Sequence, residues 1–311
     1  MIKHWQSMQD YKCFFLNSKV SFDSSERTRL HTDLWIPWQK LHLFDTDIAM
    51  GVLLPFYSST GRPAKNQPQI LRSFILFFLL VSMGLTPPSL TLWVSRLSHD
   101  RVLAALIGCP LDSLPPLGSY FDFMDRLWIH AATDLYSRKK LLPASWNSSR
   151  PDRPNGKHQK AVERSINITE RIVSRILNHK EILFNFEARL QAFFYHVAVL
   201  PSIRCGVIPS APLTVSGDGT AVHTHANSRG KHTKEQRSSL SPEELSTAPR
   251  HYSDPDASWG WDSALDKYYF GYTLFQLSCY NSSLCTDVPL LLRFTSAKRH
   301  DSVSFLTAFQ E

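Results

Sequence analysis

Asp218 stands between two glycines in the run Ser216-Gly-Asp-Gly-Thr220, directly after the short β-prone stretch 213–216. A carboxylate at a strand end is a natural ligand for Mg²⁺, which prefers hard oxygen donors and often takes only one or two of them from protein. Gly217 and Gly219 permit tight backbone geometry and leave that carboxylate open to a ligand. The plain alternative is an Asp-Gly turn, and on local sequence alone the turn is preferred. A second chemistry is suggested by Arg150, Arg153, Lys157, Lys160, Arg164, Arg171 and Arg175, a basic group suited to DNA phosphates. A solvated helix face accounts for it equally well. His223, His225 and His232 have no cysteine or carboxylate at ligand spacing, so they read as exposed histidines rather than a metal site. Trp259 and Trp261 have the flat faces that stack on bases, although tryptophans beside Gly and Pro more often pin loops.

The elements that must position these residues follow from local signals. Residues 1–60 read as an irregular lead-in with short helical pieces, and Gly61-Arg-Pro63 as a turn. A helix is expected over 67–83, with Pro68 in its first turn. Two more are expected over 90–97, capped by Ser89, and over 101–107, capped by Asp100 and closed by Gly108. Together 89–108 have the outline of a helix-turn-helix, but two short helices with a turn are common in any bundle, and the bundle is preferred. Phe123, Leu127 and Ala131 mark another helical spacing. The polar stretch 145–158 reads as a linker or exposed loop, followed by helices over about 160–178 and 181–199. Beyond residue 200 the character changes. Strands are expected at 213–216, 268–279 and 288–294, separated by a polar, turn-rich segment over 221–266. Asp301 or Ser302 then caps a final helix. No internal repeat is visible.

Hydrophobic residues make up 43% of the 311 and charged residues 20%, so the chain has the composition of globular domains, not of a disordered chain. The formal charge is +7 and the pI about 9.2, which favours an anionic partner such as nucleic acid. Five irregularly spaced cysteines without a CxxC pair point to reduced thiols rather than zinc or redox chemistry. The most apolar run, around 74–85, is shorter than the roughly 20 residues a bilayer span needs, so no membrane association is expected.

Several stretches in a fixed order carry a family resemblance. They are Gly61-Arg62-Pro63-Ala-Lys with Leu71-Arg72-Ser73; Ser95-Arg96-Leu97-Ser-His-Asp100-Arg101; Gly118-Ser-Tyr120-Phe-Asp-Phe123; and Ser216-Gly-Asp218-Gly219-Thr220. Tyr252-Ser-Asp254-Pro255-Asp256, Gly260-Trp261-Asp262-Ser263, Tyr269-Phe270-Gly271-Tyr272 and Lys298-Arg299-His300-Asp301-Ser302 complete the set. The chain resembles bacterial insertion-sequence transposases of the DDE (Asp-Asp-Glu) type over most of residues 60–311. Each motif is weak alone; their order and spacing make the set specific.

The resemblance implies an α + α/β architecture. A helical N-terminal domain (61–145) follows the lead-in, then a basic linker with helices (146–200), then the first part of an RNase H-like mixed-sheet domain (201–311). It implies DNA transposition by metal-dependent phosphoryl transfer, with Mg²⁺ or Mn²⁺ held by two aspartates and a glutamate. The implied partner is double-stranded DNA at the element ends, and the implied location is cytoplasmic and nucleoid-associated. Asp218 matches the first carboxylate. In the family the second lies on the strand after the His-Asp-Ser helix and the glutamate much later, so the chain is expected to stop short of both. Asp301 is the fallback second ligand, an N-cap being its more ordinary role. The chain is therefore expected to be inactive by itself, with an open edge at 213–216 that invites aggregation, self-association or completion by a second chain. The runners-up are a non-catalytic DNA-binding remnant and a nuclease of RNase H-like fold.

Overall fold

A computed structural model describes residues 2, 4–128, 137–138, 170, 173–174, 177–178, 188–209, 213–248, 250–254, 257–297 and 301–308. The chain divides into two compact units, Met1–Ile129 with Ala188–Cys205, and His130–Glu187 with Gly206–Glu311.

The first unit is helical. It contains α1 (Met8–Val20), α2 (Ser24–Thr32), α3 (Trp35–Leu43), α4 (Asp47–Leu53), α5 (Gln67–Ser82), α6 (Leu90–Leu97), α7 (Arg101–Ile107) and α8 (Leu117–Leu127). The helix Ala188–Phe194 joins it and runs through a π-turn, Tyr195–Val199, into Leu200–Arg204. The lead-in, expected to be irregular with short helical pieces, is helical over most of its length, in α1 to α4. Two begin with reciprocal capping boxes, Ser7 with Asp10 and Asp23 with Glu26, which satisfy first-turn N–H groups. Tyr11, Phe15, Leu30, Leu34, Leu41, Ala49 and Leu53 belong to the same hydrophobic cluster as Ile70, Leu76 and Leu80 of α5. Helix α5 starts with Pro at its second position and is buried over most of its circumference, as its all-round apolar composition requires.

Two polar clusters lock this core. The fully buried Arg72 guanidinium donates to Gln6 Oε1 at 2.6 Å and to the Ile107 carbonyl at 3.1 Å, and lies 4.1 Å from the Tyr11 ring centroid. Burial pulls its pKa down to about 10. Gly108 ends α7 at φ +82°, and a Cβ there would stand 2.7 Å from Arg72 Nη1, so both backbone conformation and space demand glycine. Nearby, Trp93 Nε1 and Tyr120 Oη both donate to Ser73 Oγ, each at 2.9 Å.

The second unit is built on an antiparallel sheet. Its strands are β1 (Ser137–Arg138), β2 (Val215–His223), β3 (Arg250–His251), β4 (Ser258–Asp262), β5 (Lys267–Asn281) and β6 (Thr286–Ser296). The short β1 and β3 pair with each other. The long β5 organises the rest. Val215–His223 runs along residues 271–279 on one side; on the other, β4 covers 267–271 and β6 covers 272–281, so β4 and β6 lie end to end. Among the described residues, the outer edge of β2 has no pairing strand. The helix Asp301–Ala308 packs on β2 and β5. All pairings between the named strands are antiparallel, so the described architecture is α+β. No described helix is long and apolar enough to cross a membrane.

Candidate functional site

Asp218 lies fourth in the nine-residue β2, opposite Gln276 of β5. It is in mid-strand, neither in an Asp-Gly turn nor at a strand end as expected. Pairing with β5 carries the strand through Gly217-Asp218-Gly219 despite the poor β propensity of those residues, because cross-strand context outweighs intrinsic preference.

The two glycines serve close packing rather than turning. A Cβ on Gly217 would stand 2.6 Å from Phe275 Cζ and 3.3 Å from Phe305 Cδ2. A Cβ on Gly219 would stand 2.2 Å from Asp301 Oδ1, so the Asp301 carboxylate rests directly on the bare face of that residue. Alternation along the strand turns Asp218 toward the other face, but its Oδ1 bends back to accept from the Gly219 N–H at 2.8 Å. Two carboxylates thus converge on one glycine from opposite sides of the strand. Both line one cleft of about 620 Å³, with Tyr269 and Thr273 of β5, Gly260 of β4 and Ala297 forming further walls. Asp301 occupies the first turn of the helix Asp301–Ala308, where a negative charge is favoured by the helix dipole.

Asp262 also lines the cleft and was not singled out from the sequence. Its Oδ1 accepts from the N–H groups of Ala264 and Leu265 at 3.0 and 3.1 Å, so it shapes the β4–β5 turn. The approach of Asp301 to Gly219 follows from the β5–β6 hairpin, which returns the chain to the level of β2 before the helix begins.

The other sequence candidates stand apart. The His223 ring lies 5.3 Å from that of Tyr269, and among the described residues no three His, Cys, Asp or Glu side chains form a metal-ligand group. Trp259 and Trp261 remain about half exposed on β4, with their rings against Phe270 and Tyr268 on β5. In the helical unit, α6 and α7 do follow one another across a short turn. Every residue of α7 from Val102 to Ile107 is buried, however, which leaves no face to enter a DNA groove. All five cysteines are free. Arg150, Arg153, Lys157, Lys160, Arg164, Arg171 and Arg175 lie outside the described residues.

Comparison of the chain with protein-family models, curated proteins and solved structures gives no match.

Proposed function

We propose that the chain is a DNA transposase of the DDE type, that its sheet unit is the opening portion of an RNase H-like domain, and that Asp218 is the first carboxylate of its catalytic site. The observation carrying this reading is that Asp218 and Asp301 line one cleft, with Asp301 resting on Gly219, the residue next to Asp218. The strand order supports it. In an RNase H-like domain the strand bearing the first aspartate is central, and a further strand pairs with it beyond the first helix. Here the carboxylate-bearing β2 leads an antiparallel meander, a helix follows β6, and among the described residues the outer edge of β2 is open where such a strand would add.

The donor set suits a hard divalent cation. Mg²⁺ or Mn²⁺ binds through one or two carboxylates, with water and substrate phosphate oxygens completing its shell. Asp218 and Asp301 would supply those two protein ligands. When bound, such an ion polarises a phosphodiester and supports attack on it by water or a DNA 3′-hydroxyl. The side chains contribute placement. The Gly219 N–H fixes the Asp218 carboxylate, and the sheet-packed helix fixes Asp301. Two carboxylates do not offset the mutual repulsion of two such ions, so the chain by itself binds one ion and does not cut DNA.

Titration of the full chain with Mn²⁺, followed by electron paramagnetic resonance, tests this. Losing even an outer-shell partner typically costs about 10–100-fold in metal affinity, so Asp218→Ala and Asp301→Ala should each cost at least about tenfold. Unchanged affinity in both variants would remove the basis of the reading. Mg²⁺-dependent cleavage of duplex DNA by the isolated chain, abolished in Asp218→Ala, would instead show that the ligand set is complete.

A further inference from the structure

We propose that a cleft in the helical unit, separate from the carboxylate site, grips the phosphate backbone of duplex DNA; the choice of DNA rests on the function proposed above. The cleft has a volume of about 880 Å³ and lies between the segments 57–67 and 113–126. Arg62, Lys65 and Arg126 line it, against one carboxylate, Asp122. Arg62 and Lys65 are exposed, and neither forms an ion pair among the described residues. Their charges are therefore available to an anion.

The walls are held in place before any ligand arrives. Asn66 Nδ2 donates to the Ser113 carbonyl at 3.0 Å and ties the two segments together. The Arg126 guanidinium lies 4.7 Å from the Tyr57 ring centroid and donates to the Asp122 carbonyl at 2.6 Å. Burial pushes the Tyr57 hydroxyl up to about 12, so it stays protonated and donates to Gln67 Oε1. Helix α8 begins at this cleft, with Pro116 and Ser119 among the lining residues and no side chain capping its first-turn N–H groups. Its positive end adds to the field of the three cations. The space is far larger than one phosphate group, and several cations along an open trough match the repeating charge of a backbone better than a single small anion.

The test is fluorescence anisotropy of a labelled random-sequence duplex with the full chain in EDTA, over a range of salt concentrations. Each lost phosphate contact lowers the slope of log affinity against log salt by about one, so Arg62→Ala with Lys65→Ala should lower it by about two. A charge-matched control, Lys40→Ala with Arg204→Ala, removes the same charge from exposed positions outside the cleft and should keep the wild-type slope. Ser119→Asp places a carboxylate in the trough without deleting a contact in the core, and should weaken binding at low salt. An unchanged slope in the double variant, an equal loss in the control, or no DNA binding at low salt overturns the proposal. So does displacement of the duplex by inorganic phosphate at constant ionic strength, which would mark a small-anion site. EDTA keeps this test independent of the Mn²⁺ titration, so failure of one is distinguishable from failure of the other.

Discussion

In the core of the helical unit two polar clusters are sealed: Arg72 lies fully buried among Gln6, Tyr11 and the Ile107 carbonyl, and Ser73 holds Trp93 and Tyr120. In the sheet unit Asp218 and Asp301 both approach Gly219 and line an open cleft. The Arg72 Nη1 and Nη2 atoms, Trp93, Tyr120 and Ser73 have fixed partners inside the core and support the fold. The open ones line a cleft that a molecule from solution can enter. The difference separates polarity locked into the core from polarity that borders open space, and the distinction would be lost if burial alone were used to rank the residues.

The comparison breaks most visibly at Arg72. Replacing it by alanine removes a large buried side chain and strips donors from buried acceptors, so Arg72→Ala should cost about 3–5 kcal/mol. Urea unfolding would measure that loss, and a cost within error of zero would show that the sealed network is not structural. Gly219→Ala probes the open side. The added methyl first meets the carboxylate end of the Asp301 side chain, which can turn aside, so the expected stability loss is about 1 kcal/mol, the low end of the usual overpacking cost. The displaced carboxylate should nonetheless lower Mn²⁺ affinity about tenfold, as loss of outer-shell positioning does. Equal affinity in the variant would place the ion elsewhere.

The smallest effect concerns pH. Burial, with repulsion from Lys12, lowers the pKa of His42, whose Nδ1 is buried without a hydrogen-bond partner. The folded chain therefore takes up that proton less readily than the unfolded chain. The stability tied to neutral His42 is present above the unfolded value of about 6.5 and is lost as pH falls below it. Melting temperatures recorded from about pH 7 down to 5 should fall less steeply in His42→Gln than in the wild type. Parallel curves would assign the acid sensitivity to other groups.

What the sequence made legible depended on how local the signal was. Ser89 and Asp100 cap their helices as expected, their side chains accepting from Leu92 and Leu103 N–H groups, and Gly108 closes α7. Those are contacts within a turn. The capping boxes Ser7/Asp10, Asp23/Glu26, Thr233/Gln236 and Ser241/Glu244 are equally local, yet the segments holding them were read as irregular or turn-rich. Their helices are short and polar, and the apolar periodicity used to find helices is faint there. The strand around Asp218 was underestimated for the opposite reason. Residues 217–223 extend only because β5 pairs with them, and that partner is remote in sequence. The identity of Asp218 as a candidate was readable from its flanking glycines. Its neighbour Asp301 was readable only as a fallback, because their meeting at Gly219 depends on a hairpin and a helix placement that composition does not encode.

The reach of β5 has a consequence for how the chain is made. The whole of β2 leaves the ribosome before any residue of β5, its one pairing strand among the described residues. At ordinary elongation rates that leaves β2 waiting for roughly 2–10 s. During this interval both edges of the strand are bare, and the polar segment with its two small capped helices is the chain that has emerged after it. Arrival of β5 then sets the register of β2, β4 and β6 together, since a one-residue slip would turn Asp218 inward and Gly219 outward.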